Sequence, residues 1–178
     1  MQQLYDHWYN DAPLPKKPIV LTFDDGYRSM YTTVYPLLKA WGWSGTFYCI
    51  TNARWSDNFL LEDMVAEMAA NGMEIGSHTV SHVELHALDG DTLDGELADS
   101  RDILSTITGN DITMLCYPAG RYNDKTKTAA EEAGYLCAVT TQNGIAAKSQ
   151  GMFELKRLRV SKGYGTAWLK NVLAPLGY

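Results

Sequence analysis

The stretch VLTFDDGYRSMY, residues 20–31, decides how the rest of the chain is read. Val20, Leu21, Thr22 and Phe23 are uncharged and strand-favouring, the pattern of a strand buried on both faces. Two adjacent carboxylates, Asp24 and Asp25, follow at once, and then Gly26, which permits a sharp turn. Like charges this close repel, and burying either without a partner is costly. The strand end therefore demands a compensator: a cation, a hydrogen-bond network, or both.

Outward from this point, strand-like and helical stretches alternate. Residues 19–23, 46–50, 73–77, 112–117, 135–141 and 155–160 read as strands. Residues 29–41, 60–71, 92–108, 124–133 and 166–173 read as helices, with Gly72, Gly109 and Gly134 as stop signals. Val34, Leu37, Leu38 and Trp41 share one side of the first helix, and Trp41 and Trp43 read as core. Buried strands alternating with helices imply a parallel α/β sheet, open or closed into a barrel. Residues 1–17 read as a lead-in segment and 18–178 as a single domain.

Composition narrows the function classes. The chain has 178 residues, 46% hydrophobic and 20% charged, enough for one domain with a sizeable core. A net charge of −6 with no cluster of lysine and arginine argues against nucleic acid or an anionic membrane as partner. No apolar run approaches a membrane span, and no signal peptide is visible. Cys49, Cys116 and Cys137 lie in strand-like stretches without a C-x-x-C pair and read as buried structural thiols. The acidic DGDTLDGE, residues 89–96, lacks the ligand spacing of a calcium loop and reads as a helix start.

The polar oddities gather at the C-terminal ends of the strands. After the carboxylate pair come GSHTVSH (76–82), YPAGRYN (117–123), TTQNG (140–144) and RLRVSKG (157–163). In a barrel, or at the switch point of an open sheet, those ends form one rim where active sites sit. His78 and His82 are spaced i, i+4, which suits two ligands of one metal ion. His86 continues the spacing, but Leu85 and Leu88 turn it back toward the core, and it is not counted as a ligand. Successive strand residues point to opposite sides, so one aspartate can ligate while the other reaches past the metal. That is the layout of a metal hydrolase, in which a cation activates water and a free carboxylate takes the proton.

TFDDG and SHTVSH, some fifty residues apart, resemble the first two motifs of the polysaccharide deacetylases, the carbohydrate esterases of family 4 with the NodB-homology domain. The resemblance runs from about Pro18 to Leu173. It implies a distorted (β/α) barrel of seven strands, with Asp24 as general base and Asp25, His78 and His82 as ligands of one divalent ion. That ion is zinc first, with cobalt or nickel as alternatives. Many members carry an arginine where this chain has Cys116; Pro118 and Gly120 keep the rest of that motif, and the N–H of Ala119 is left to serve the oxyanion. Arg157 is the expected replacement arginine and Arg159 the reserve. The late histidine that supplies the general acid has no counterpart after His86.

The version here is similar to the subgroup acting on poly-β-1,6-N-acetylglucosamine. The implied reaction is removal of acetyl groups from an N-acetylglucosamine polymer. O-deacetylation of xylan, or carbohydrate binding with little catalysis, are the alternatives. Tyr117, Pro118, Tyr122 and Tyr27 are expected against the substrate, with Tyr164 as a further stacking candidate. A monomer acting outside the cell or at its surface is expected.

Overall fold

The computed structural model describes residues 1–53 and 57–177. Residue 178, which ends the expected domain, and residues 54–56 lie outside the described residues. Six strands pair in chain order, all parallel: β1 Thr22–Phe23, β2 Thr46–Cys49, β3 Glu74–Ser77, β4 Met114–Cys116, β5 Cys137–Asn143 and β6 Leu155–Arg157. Helices α2 Tyr35–Trp41, α3 Glu62–Ala70, α4 Gly90–Thr108 and α5 Asp124–Glu132 each follow a strand, and α6 Thr166–Leu173 follows β6. The result is an α/β half-barrel. Where seven strands were expected, six are formed among the described residues.

The period of two sorts each strand between two layers. Phe47, Ile75, Leu115 and Ala138 face outward and pack with the helices, including Leu38, Val65, Leu97 and Leu104. Tyr48, Met114, Cys116, Cys137 and Val139 alternate with them and fill the concave interior. Helix α1, Gln2–Tyr9, lies in the stretch read as a lead-in, and Met1, Tyr5 and Trp8 pack on that inner cluster. The three cysteines are buried and unpaired, as their setting suggested. No helix among the described residues is long and apolar enough to cross a membrane.

Two packing expectations need correction. The first strand is only two residues long, and Ile19 is 53% exposed, because among the described residues β1 pairs with β2 alone. Trp41 and Trp43 are 58% and 57% exposed. They sit edge to face, 5.2 Å apart, around Gly42, which ends α2 in a left-handed conformation. Two residues beyond Trp43 the interior is already full, since a Cβ on Gly45 would lie 3.0 and 3.1 Å from Phe23 and Leu38.

Gly76 shows how tightly the interior is filled. A Cβ there would lie 2.6 Å from the Tyr48 ring and 3.0 Å from the Met114 carbonyl. Gly76→Ala should therefore destabilise the fold by about 1–3 kcal/mol, the usual cost of overpacking, read by thermal unfolding.

Candidate active site

Alternation along β1 and β3 explains how the site is assembled. Phe23 faces the helices, so Thr22 and Asp24 face the interior. Ser77 points out to Ser100 of α4, so His78 points in. Asp25 lies beyond the strand with φ +81, which swings its carboxylate toward the histidines. Asp25 Oδ1 lies 3.4 Å from His78 Nε2 and 3.6 Å from His82 Nε2. The two rings are 4.6 Å apart at 74°.

Two ring nitrogens and a carboxylate oxygen converging this closely require positive charge among them. His78 Nδ1 donates to the Cys116 carbonyl at 2.7 Å, which fixes the tautomer and leaves Nε2 facing Asp25. His78 is 3% exposed and His82 38%. Burial lowers His78, but with no ion in place the Cys116 contacts and the Asp25 carboxylate outweigh it and raise the ring to about 10. The ring is then doubly protonated, and its Nε2–H holds the Asp25 carboxyl below its ordinary value, against the effect of partial burial. An ion would take the place of that Nε2 proton. Burial, together with the neighbouring His78, lowers His82 and favours its neutral, ligating form. A carboxylate and two imidazoles with donor atoms within 4.8 Å are a donor set suited to a divalent cation.

Asp24 has a different principal partner, although one of its oxygens also lies within 4.8 Å of a His78 ring nitrogen and of Cys116 Sγ. Asp24 Oδ1 accepts from Arg157 Nη1 and Oδ2 from Arg157 Nη2, each at 2.7 Å. The remaining guanidinium donors are also satisfied: Nε by the Thr140 carbonyl at 2.9 Å, Nη1 by Thr22 Oγ1 at 3.1 Å, and Nη2 by Cys116 Sγ at 3.3 Å. Burial opposes the charge, but the paired Asp24 outweighs it and keeps Arg157 above its ordinary pKa. The register shift between Val139 and Asn143 of β5 bulges the strand beside β6 and turns Thr140 toward the arginine. Arg157 thus clasps β6 to β1 across an edge that no strand among the described residues closes. The arginine position occupied by Cys116 is served from another strand, and Cys116 becomes one of the arginine's acceptors. Arg159 is exposed.

The remaining candidates divide. Ala119 is the exposed residue of the turn Pro118–Gly120, with φ +53. Gly120 beside it tolerates no side chain, since a Cβ would lie 2.1 Å from Thr141 Oγ1. Tyr117 and Pro118, expected against the substrate, are buried. They underlie the Ala119 turn, and Tyr117 stacks on Tyr122 at 4.9 Å. The Tyr122 hydroxyl accepts from Gln142 at 2.9 Å. Tyr27 stays on the exposed rim, stacked on Phe59 at 5.1 Å, and Tyr164 stacks on Trp168 at 4.4 Å. His86 faces Glu84, with Nδ1 3.7 Å from the carboxylate. Asp25, Thr79, His82 and Ala119 are non-glycine residues at positive φ, strain gathered at one rim.

The partners Thr22, Thr140 and Glu96 escaped the sequence reading. The first two lie inside quoted motifs and could have been found by alternation; the contact of Glu96 with the histidine turn has no local signal.

The sequence profile of the family described as polysaccharide deacetylase matches residues 11–138. The chain belongs to this family. Among its relatives, the YxkH protein of Bacillus subtilis, placed by name with the polysaccharide deacetylases, is 40% identical over 153 residues. That match covers 86% of this chain and 55% of YxkH, so this chain spans about half its relative's length. A solved deacetylase, PplD of Streptococcus pyogenes in complex with acetate, superposes with a TM-score of 0.91 at 32% identity. The superposition covers 96% of this chain and 76% of PplD. The poly-β-1,6-N-acetyl-D-glucosamine N-deacetylase of Escherichia coli K12 is 64% identical over 31 residues, 17% of this chain and 5% of that protein.

Proposed function

We propose that this polysaccharide deacetylase-family chain is a metal-dependent hydrolase that releases acetate from a polymer containing N-acetylglucosamine. One observation carries the reading. Two adjacent carboxylates are separated by their partners, Asp24 fixed on Arg157 and Asp25 directed at His78 and His82. A divalent ion held by Asp25, His78 and His82, with zinc the first choice and cobalt or nickel next, would acidify water and polarise the acetyl carbonyl.

The protein's own groups supply the rest. Asp24 takes the proton from the attacking water, with Arg157 fixing its orientation. The Ala119 N–H serves the oxyanion as the water oxygen joins the carbonyl carbon. An amine leaves poorly until protonated, so Asp24 returns its proton to nitrogen as the C–N bond breaks. Tyr27, Tyr122 and Tyr164 offer faces for sugar rings around the rim. The N-acetylglucosamine polymer is supported by the name of the Escherichia coli relative, and the bound acetate of PplD is the product class expected. Such a polymer is met at the cell surface or beyond it, and there we place the reaction, carried out by a monomer.

The test is metal content together with acetate release from a panel of acetylated oligosaccharides. One carboxyl acting as both base and acid is a compromise in pKa. Aryl acetates, whose leaving group needs no acid, should therefore turn over more than about tenfold faster than N-acetylglucosamine oligomers, given that a positioned acid contributes ~10²–10⁴. His86→Ala should change the oligomer rate less than about threefold, well below a dedicated acid's contribution. Equal rates on both substrates, or a collapse in His86→Ala, would reveal a separate acid. No acetate from any substrate by the metal-loaded protein would overturn the reading.

A further inference from the structure

We infer that Glu96 of α4 is a positioning residue that sets the geometry of the His82 side of the metal site; the inference rests on the metal reading above. The turn between His78 and His82 is an improbable backbone. Thr79 has φ +67 and His82 φ +59, and neither is glycine. Left-handed residues of this kind persist only where their surroundings over-determine them. Three donors of the turn converge on one carboxylate. The Val80 and Ser81 N–H groups both donate to Glu96 Oε2 at 2.9 Å, and the Ser81 hydroxyl donates to Oε1. Successive N–H groups beside a left-handed residue form a concavity that needs an acceptor oxygen, and Glu96 Oε2 supplies it.

The rest of the turn is held from the same helix. Ser100, one turn along α4, bonds Ser77 Oγ at 2.7 Å, and Ser77 Oγ accepts from the Thr79 N–H at 3.1 Å. Thr79 Oγ1 then accepts the His82 N–H at 3.1 Å. His78 needs none of this, being buried at a strand end and pinned by the Cys116 carbonyl. His82 is the half-exposed partner, and its ring position depends on the turn that Glu96 closes. Loss of the Glu96 acceptor therefore loosens one ligand of three and leaves the other two in place.

The experiment is a zinc titration of metal-free protein against a chromophoric chelator, with the cobalt(II) absorption spectrum as a second readout. Glu96→Ala and Glu96→Asp, the latter a methylene too short, should each weaken zinc about 10–100-fold, the usual cost of losing a group that orients a metal ligand. Both should dull the cobalt bands. Glu96→Gln keeps an acceptor oxygen at the same reach and should stay within about threefold of wild type, less than a lost orienting group costs. Excess zinc should restore most of the activity of the alanine variant. Equal zinc affinity in wild type and both the alanine and aspartate variants would overturn the inference, as would a glutamine variant as weak as alanine. Should the alanine variant fail to fold, the aspartate–glutamine contrast decides alone. Wild-type protein that takes up no zinc or cobalt would overturn the metal reading and this inference with it, whereas a zinc-binding wild type matched by its variants would overturn this inference only.

Discussion

Asp24→Asn protein should bind zinc as tightly as wild type and release acetate roughly 10²–10⁴-fold more slowly, the range a positioned base supplies. The substitution keeps the shape of the side chain and one acceptor oxygen for Arg157. It removes the capacity to take a proton from water. Asp24 lies within 4.8 Å of His78 in a second donor grouping, but both its oxygens are engaged by Arg157, so the set of Asp25, His78 and His82 should not move. Asp25→Asn should behave differently. The amide weakens the anionic ligand facing His78 and His82, so zinc is lost along with activity. Zinc content and acetate release, measured on both variants, separate the roles. Parallel loss of zinc in the two proteins would mean that the division of labour between these neighbours has been drawn wrongly.

The order of elements was legible because buried strands and amphipathic helices leave local signatures. So was the gathering of TFDDG, SHTVSH and Arg157 on one rim, which follows once the strands are parallel. What the sequence concealed has one physical cause. Periodicity tells which residues share a face, and says nothing of whether a neighbour covers that face. Ile19 and Trp41 carry the pattern of core residues, but both are more than half exposed, and among the described residues the edge beside β1 is unpaired. Tyr117 and Pro118 fail in the opposite direction: motif position placed them at the substrate, and the strand end buries them. Glu96 was read only as part of an acidic helix start, because its carboxylate meets Val80 and Ser81 through tertiary packing of α4 on β3.

Arg157 carries the last and most demanding prediction, because one side chain does a structural and a chemical job. Its guanidinium engages Thr22, Asp24, Cys116 and Thr140, which come from β1, the residues that follow it, β4 and β5. Lysine cannot reproduce this. An ammonium is a compact charge with three donors and no planar fork, so it can approach one Asp24 oxygen but not both with the same orientation. Arg157→Lys should retain zinc and lose at least about 10²-fold in acetate release, the order of loss that follows a displacement of about 1 Å in a catalytic group. Arg157→Ala goes further, since it leaves Asp24 without its cation and opens the edge between β6 and β1. Removing one partner of a fully buried pair costs about 3–5 kcal/mol; with Asp24 partly exposed, screening reduces the expected loss of stability to roughly 2 kcal/mol. Thermal unfolding and steady-state rates on the same preparations test both jobs together. A lysine variant within about threefold of wild type would mean that charge alone suffices at this position, a loss far smaller than misplacement of the base predicts. The fork would then hold the barrel edge without orienting the base.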